Sequence, residues 1–381
     1  MDPKQLLSAV RVTKLMSALQ DKRGTDAKLV NLARTPIVPA ADGEIMARFI
    51  GQVIIADLIA DGQRAGLYSP GKISTDVTKI PNLKLGTALN QDQLNMFTSA
   101  LNGVQVNDDL FPTTEARIVD NLRRGVQYRM EAIVSASKIG GFSYDRLGIK
   151  MENVDFGMPA DLKITPTKEW TDPTATPVTD VSIAKRVGQI KYGIEYDRMK
   201  IDLSAFNAAV ATTEFQNKAR LFMAPNVSFI NLDVSNQEAM KNLAQNVFGM
   251  TIEITGQRYW TENPNGSLSS APFQPTNKVI LESSQSDNDA SVIDFANGVV
   301  TEALISNVPG SPIQGQLPLN ARGPVGYQTA EHNAPSISYW GVGRGFARRH
   351  VMQATACLTI APDSGTGSLT ETIDFNEIPF A

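Results

Sequence analysis

Apolar residues recur at three- and four-residue intervals over one unusually long stretch, PTTEARIVDNLRRGVQYRMEAIVSASKIGG, from Pro112 to Gly141. Val119, Leu122, Val126, Met130, Ile133 and Val134 fall on one face of a helix at that spacing. Pro112 and Thr113 supply start chemistry and Gly140-Gly141 supply the stop. The pattern predicts a helix over 113–139, a rod on the order of 40 Å at about 1.5 Å per residue. That is long for a helix of a compact enzyme. It reads as a spine for the rest of the chain.

Upstream, Asp2 and Pro3 can begin a helix carrying Leu6, Leu7, Val10 and Leu15, and Asp21 to Gly24 can end it. The chain from there to Pro39 reads as an arm. Residues 42–89 are rich in Ile and Val and broken by Asp61-Gly62 and Pro70-Gly71. They predict long strands joined by an extended excursion, with little that could form a core of its own. Downstream of the spine, a loop from Trp170 through Asp172, Pro173 and Pro177 delivers the chain to a helix. Thr179 or Asp180 would cap it, and its stripe is Val181, Ala184, Val187 and Ile190. A further helix is predicted over 205–222 with Phe206, Val210 and Leu221 inward. Another opens on the Ser235–Glu238 capping-box spacing and buries Met240, Leu243 and Val247. Gly249 ends it, the strand MTIEIT follows, and an insert with Asn265-Gly266 precedes the strand NKVILES. Prolines and glycines from Ser306 to Gly326 predict a long surface loop. Period-two alternation at Met352, Ala354, Ala356, Leu358 and Ile360, and again at Leu369, Ile373 and Phe375, predicts strands. Helices among short strands make the middle of the chain α/β or α+β, and no internal repeat is visible.

Composition narrows the chemistry. At 381 residues, 42% hydrophobic and 19% charged, the chain can bury a sizeable core and hold two or three domains. Its net charge of −4 argues against a dedicated nucleic-acid binder, though not against a shell enclosing nucleic acid without gripping it. The single cysteine, Cys357, excludes an internal disulfide and a cysteine-cluster metal site. His332 and His350 leave little for a zinc centre. The start MDPKQLLSAVRV lacks signal-peptide order, and no apolar run reaches the roughly 18 residues of a membrane span, so a cytoplasmic product is expected. Gly66-Leu67-Tyr68-Ser69-Pro70-Gly71-Lys72-Ile73 has the glycines and lysine of a phosphate loop, but Ile73 stands where a magnesium-binding hydroxyl belongs. Gly341-Val342-Gly343-Arg344-Gly345 suggests a dinucleotide fingerprint, but Phe346 replaces its third glycine and a packed β-turn fits better. Cys357 reads as a small buried hydrophobe. Two basic groups remain, Arg123, Arg124 and Arg129 on the spine and Arg344, Arg348 and Arg349 near the tail. They read as solvated charge or surface pairs, with inter-subunit pairing or contact with an enclosed polyanion as the functional alternative. No nucleophile, base and oxyanion site assembles, so no catalytic, cofactor-binding or metal residue is expected.

The order of parts resembles a tailed-phage major capsid protein, of the lambda-type major capsid protein E family. The local match is Trp170-Thr171-Asp172-Pro173 through Pro177 and Asp180-Val181, with Pro272 to Leu281 similar to a second family stretch. The resemblance implies an α+β chain of the Hong Kong 97-type fold. Its parts would be an N-terminal arm (1–39) and a β excursion (40–95) whose E-loop, about Arg48 to Leu89, reaches a neighbouring subunit. A peripheral domain (96–179) with the spine helix (113–139), an axial domain (180–345) and C-terminal strands returning to the peripheral sheet (346–381) would complete it. It also implies a subunit that self-assembles into hexamers and pentamers as an icosahedral head enclosing double-stranded DNA without reading its sequence. Such a subunit is made in the host cytoplasm and resides in the virion. A separate scaffolding protein, a portal and a decoration protein are the partners it implies, with no membrane and no enzyme activity. An encapsulin-like compartment shell is the alternative on the same fold. A phage tail or adhesin component fits the β-rich ends but not the long spine.

Overall fold

The computed structural model describes residues 28–40, 45–50, 72–77, 80–89, 110–146, 149–223, 237–262, 268–305, 317, 319–331 and 336–361. The expected first helix, residues 51–71, the Asn265-Gly266 turn, most of the 306–326 loop, His332 and the strand at 369–375 lie outside them. The chain divides into two compact units. One comprises residues 1–45, 77–134 and 294–347, the other 46–76, 135–293 and 348–381.

The spine forms as the stripe predicts. Helix α1 runs Leu110–Ile139, about 45 Å, and every residue of its predicted apolar stripe is buried. It stops at Gly140, whose φ of +106° is open to glycine without strain. In the first unit its Val119, Leu122 and Val126 face a mixed sheet in the order β1-β13-β15-β14, where β1 is Ile37–Pro39, β13 Ile293–Asn297, β14 Val325–Glu331 and β15 Ser336–Arg349. Strand β4, Asn82–Leu89, pairs antiparallel with β15 over eight residues, from Ile337↔Leu89 to Arg344↔Asn82. Strands β2 (Ile45–Ile50) and β3 (Lys72–Val77) form a separate two-stranded ladder. Residues 82–89, expected in the extended excursion, are therefore part of this unit's sheet, with Leu83 and Leu89 buried.

The GVGRG run explains how α1 seats. A Cβ on Gly341 would lie 2.9 Å from Leu122 Cβ and 3.0 Å from its carbonyl oxygen, and one on Gly343 would lie 2.8 Å from Val126 Cγ1. On Gly345 it would lie 2.1 Å from Phe295 Cε1. Alternate glycines give the helix and β13 a lane to approach the strand, so the run is structural and sits inside a strand, not a β-turn. The phosphate-loop look-alike fares similarly, since Lys72 and Ile73 begin β3.

The second unit is built on a five-stranded sheet in the order β7-β16-β12-β8-β9. Strand β7 is Lys163–Ile164, β8 Arg198–Asp202, β9 Thr251–Thr255, β12 Lys278–Glu282 and β16 Thr355–Thr359. The outer pairs are parallel and the inner ones antiparallel. Helices α2 (Pro177–Val187), α3 (Leu203–Ala211), α4 (Thr213–Met223) and α5 (Gln237–Phe248) bury Val181, Ala184, Phe206, Val210, Phe215 and Met240 in one core with it. Cys357 is buried in β16, as its residue type suggested, but the expected alternation over 352–360 is not there. The strand is only Thr355–Thr359, and Gln353 and Thr355 are buried with the apolar positions because β16 lies inside the sheet between β7 and β12. A hairpin of β5 (Gly141–Arg146) and β6 (Ile149–Asp155) follows the spine. A second, of β10 (Arg258–Glu262) and β11 (Leu268–Pro272), flanks the Asn265-Gly266 position.

Three local expectations are corrected. The predicted 205–222 helix is two, because Thr212 adopts an extended conformation, donates its hydroxyl to the Ala209 carbonyl and accepts the Phe215 N–H. The break turns Leu221 outward, 63% exposed, and Phe215 takes the inward place. Helix α2 begins at Pro177, and neither Thr179 nor Asp180 caps it; Glu214, from α4, accepts the Val178 and Thr179 N–H groups. A π-helical turn, Gly188–Tyr192, then rotates Ile190 off the stripe to 69% exposure.

Gly341→Ala should cost about 1–3 kcal/mol, because the new methyl meets backbone that cannot yield. Gly256→Ala, whose Cβ would find only Leu203 Cβ at 4.0 Å, should change stability by less than about 0.5 kcal/mol. Urea unfolding midpoints of the two variants check the contrast.

Candidate functional site

Polar chemistry is concentrated inside both units. Along α1, Asp120, Arg123, Gln127, Glu131, Ser135 and Lys138 recur at helical spacing beside the apolar stripe, and all are buried. In the first unit Arg123 donates to Asp120 Oδ1 (2.8 and 3.3 Å) and to Gln127 Oε1 (2.8 Å), and Arg124 pairs with the other Asp120 oxygen at 3.0 Å. Glu131 takes the backbone N–H groups of Asn31 and Leu32 at 3.0 and 2.7 Å. Lys28 lies 5.5 Å from the Tyr128 ring centre, so this segment of the arm is pinned to the helix. Strand β1 then pairs parallel with β13, and Arg322 donates to the Ala40 carbonyl.

In the second unit the last turn of α1 is closed by side chains distant in sequence. Arg349 is fully buried and donates to the carbonyls of Ser137 (3.0 Å), Val351, Met352 and Thr355; Thr355 Oγ1 donates to the Lys138 carbonyl at 2.7 Å. Carbonyls that a helix end leaves unpaired thereby find donors, and a guanidinium faces the negative end of the helix dipole. Burial lowers the Arg349 pKa to about 10, against the weaker opposing effects of Tyr196, Cys357 and Asp155.

The reading of the arginines as solvated charge or surface pairs is thus overturned for Arg123, Arg348 and Arg349, all buried, and Arg344 donates to the Ile80 and Val299 carbonyls. Nor do Arg123 and Arg349 suit contact with another subunit or a polyanion, since buried internal acceptors engage them. The sequence carried one usable signal, the polar i, i+3, i+4 recurrence beside the apolar stripe.

The densest charge cluster centres on Glu282, on β12. Its carboxylate accepts Lys138 Nζ at 2.8 Å on one oxygen, and Lys200 Nζ at 2.8 Å and Arg198 at 3.0 Å on the other. Arg198 also forks onto Asp287 (2.8 and 3.0 Å) and reaches Glu253 at 3.5 Å. Burial alone would raise the Glu282 pKa, but the two lysines overcome it and hold the carboxyl well below the usual carboxylate range. Fork bonding to Asp287 leads the effects that raise the Arg198 pKa above its ordinary value.

The Trp170–Asp180 segment is a buckle in the same unit. Trp170 is buried, its indole N–H donates to Asp180 Oδ2 at 3.0 Å, and its backbone N–H binds the Ile360 carbonyl at 3.1 Å. Burial raises the Asp180 pKa against the opposing indole bond.

The donors named here are met by acceptors inside the fold, so these groups hold elements together. Among the described residues no group of three or more His, Cys, Asp and Glu could hold a metal ion. No described helix is long and apolar enough to cross a membrane. Among the side chains that the second unit exposes are several large apolar ones: Ile183 on α2, Ile190 on the π turn, Leu221 and Phe222 at the end of α4, and Trp260 and Leu268 on one face of the β10–β11 hairpin.

No protein-family model and no curated protein matches the sequence. Solved structures do. A phage-related protein from Bordetella bronchiseptica RB50 superposes with a TM-score of 0.51 at 14% identity, covering 93% of this chain and 98% of the other. The putative capsid protein of a prophage from E. coli CFT073 gives 0.50 at 12% identity, covering 92% and 99%. The SrpI encapsulin of Synechococcus elongatus PCC 7942, at 0.41 and 10% identity over 92% and 96%, is too loose a likeness to weigh. The chain therefore has a mixed α+β fold like that of these two phage and prophage proteins.

Glu282→Gln should destabilise the protein by about 3–5 kcal/mol, since it takes the carboxylate from the buried Lys138 and Lys200 and leaves Arg198 only Asp287 and Glu253. With its folded pKa depressed below the ordinary 4.5, the stabilisation from Glu282 is complete above that value and is lost as pH falls below it. Thermal unfolding of wild type and Glu282→Gln between pH 7 and pH 3 should show the gap between them closing toward acid.

Proposed function

We propose that the chain is a structural subunit that self-assembles into hexamers and pentamers of an icosahedral phage head of Hong Kong 97 type. The observation that carries the reading is the fold likeness to a prophage capsid protein over nearly the whole of both chains. Exposed apolar side chains on the second unit support it, because Ile190 at 69% and Phe222 at 61% exposure are stabilised only when another surface covers them. The interior supports it too, since the charged groups are occupied in holding elements together. An arm at 1–39, a β excursion at 40–95, a peripheral domain at 96–179, an axial domain at 180–345 and strands at 346–381 are the divisions proposed on that fold. The E-loop would lie in the part of the excursion that precedes β4, because β4 belongs to a sheet. The shell would enclose double-stranded DNA without sequence recognition, in keeping with the net charge of −4. A scaffolding protein, a portal and a decoration protein are proposed partners, with synthesis in the host cytoplasm and residence in the virion.

Two variants test the reading by electron microscopy and light scattering beside wild type. Ile190→Asp with Phe222→Asp should keep the wild-type circular dichroism and unfolding midpoint and yield no closed shells. Replacing residues 51–71 by a short turn should do the same if that segment reaches a neighbour. Closed shells of normal size from both variants would contradict the assignment of these surfaces to assembly. Wild-type shells found with a protein cargo and no genome would move the assignment to a compartment shell.

A further inference from the structure

Lys138 and Lys200 occupy opposite oxygens of one buried carboxylate, each at 2.8 Å, an arrangement with more cation than the central anion can neutralise. Among the described residues, charged neighbours act on Lys200 from three elements. Lys138 comes from α1, Glu282 from β12 and Glu253 from β9, where it is the register partner of Lys200. Arg198 lies two residues back on β8, and Asp287 follows β12 and is reached through Arg198. Three cations face three anions, but Glu253 and Asp287 sit at the partly exposed rim on Arg198, while the two lysines share Glu282 in the interior.

We infer that the Lys138–Glu282–Lys200 triad is a proton-operated brace on the last turn of α1. With both lysines charged, two ammonium groups repel each other across one carboxylate. Loss of one proton from Lys200 leaves Glu282 to Lys138 on one oxygen and to Arg198 on the other, with the Arg198 charge shared by Asp287 and Glu253 at the rim, and tightens the hold of the sheet on the helix end. The negative charge then in excess falls to the rim, where solvent and Arg198 screen it.

Lys200 is the group that yields the proton because it has no solvent contact. Burial first, and the Lys138 charge second, lower its pKa to about 8 from the ordinary 10.5. Because the folded value lies below the unfolded one, an opened state holds the proton across that window and the folded state does not. The contribution of Lys200 to stability therefore rises with pH between the two values, the reverse of a lysine held by a single carboxylate. Across pH 7 to pH 9.5 the opening equilibrium of this region should fall roughly 25-fold on that account.

Hydrogen exchange of the full chain, read on the peptide spanning residues 133–139 and corrected for the intrinsic pH dependence of amide exchange, tests this. Wild type should gain roughly 25-fold in protection from pH 7 to pH 9.5. Lys200→Met should show no such gain and should exceed wild type at pH 7, because the repulsion is gone. If Lys200→Met does not fold, Lys200→Arg, which keeps its charge throughout the range, should also lose the gain. A flat wild-type profile, or an equal gain in a folded variant, would overturn the brace. The measurement is indifferent to whether the chain forms shells, so the brace and the shell reading fail independently.

Discussion

One carboxylate holds the second unit in register. Glu282 gathers the end of α1, the middle of β8 and, through Arg198, the β9 and post-β12 segments onto a single interior point. Taking so much charge out of water is costly, and attraction in the interior offsets the cost only when each member keeps its partners. The cluster is thus tolerant of nothing being removed from its centre. The neighbouring Arg349 follows the same rule with carbonyls in place of carboxylates, satisfying the helix end that Glu282 anchors. Together they make the last turn of α1 a fixed point.

In the first unit the constraint is steric. Leu122 and Val126 can lie against β15 because Gly341 and Gly343 carry no side chain there, and Gly345 makes the same room for Phe295. A helix of this length needs a surface that accepts it closely along several turns, and alternate glycines on a strand supply one. Glu131 then uses the opposite problem, a buried anion needing donors, to seat the arm at Asn31 and Leu32. Both units thus devote their polar residues to internal fastening. Among their exposed side chains are several large apolar ones, Ile183, Ile190, Leu221, Phe222 and Trp260 in the second unit and Ile37 and Leu319 in the first.

Much of this was legible in the sequence where the signal is local. The α1 stripe, its Gly140 stop and the Gly249 stop after α5 all follow from spacing or from backbone freedom at one residue. What escaped is non-local. Thr212 breaks a helix by bonding Ala209, a contact that the periodicity of 205–222 does not show. Glu214 caps α2 from 36 residues away, so Thr179 and Asp180 were reasonable and wrong. The arginines at 123 and 349 look like surface charge because burial of a charged group depends on acceptors placed by the rest of the fold. The Trp170–Asp180 stretch, which carries the family resemblance, has a mechanical reason for its composition: an indole N–H that meets a buried carboxylate.

The central claim is that the folded chain is incomplete alone and covers its exposed surface with copies of itself. Sedimentation velocity of the purified full chain over a hundredfold range of concentration, with and without a scaffolding protein, tests it most directly. The account predicts cooperative conversion from subunit or capsomer to particles many times the 41.3 kDa chain mass, with little between. A single boundary at the mass of one chain or of a small dimer, unchanged under every condition, would contradict it.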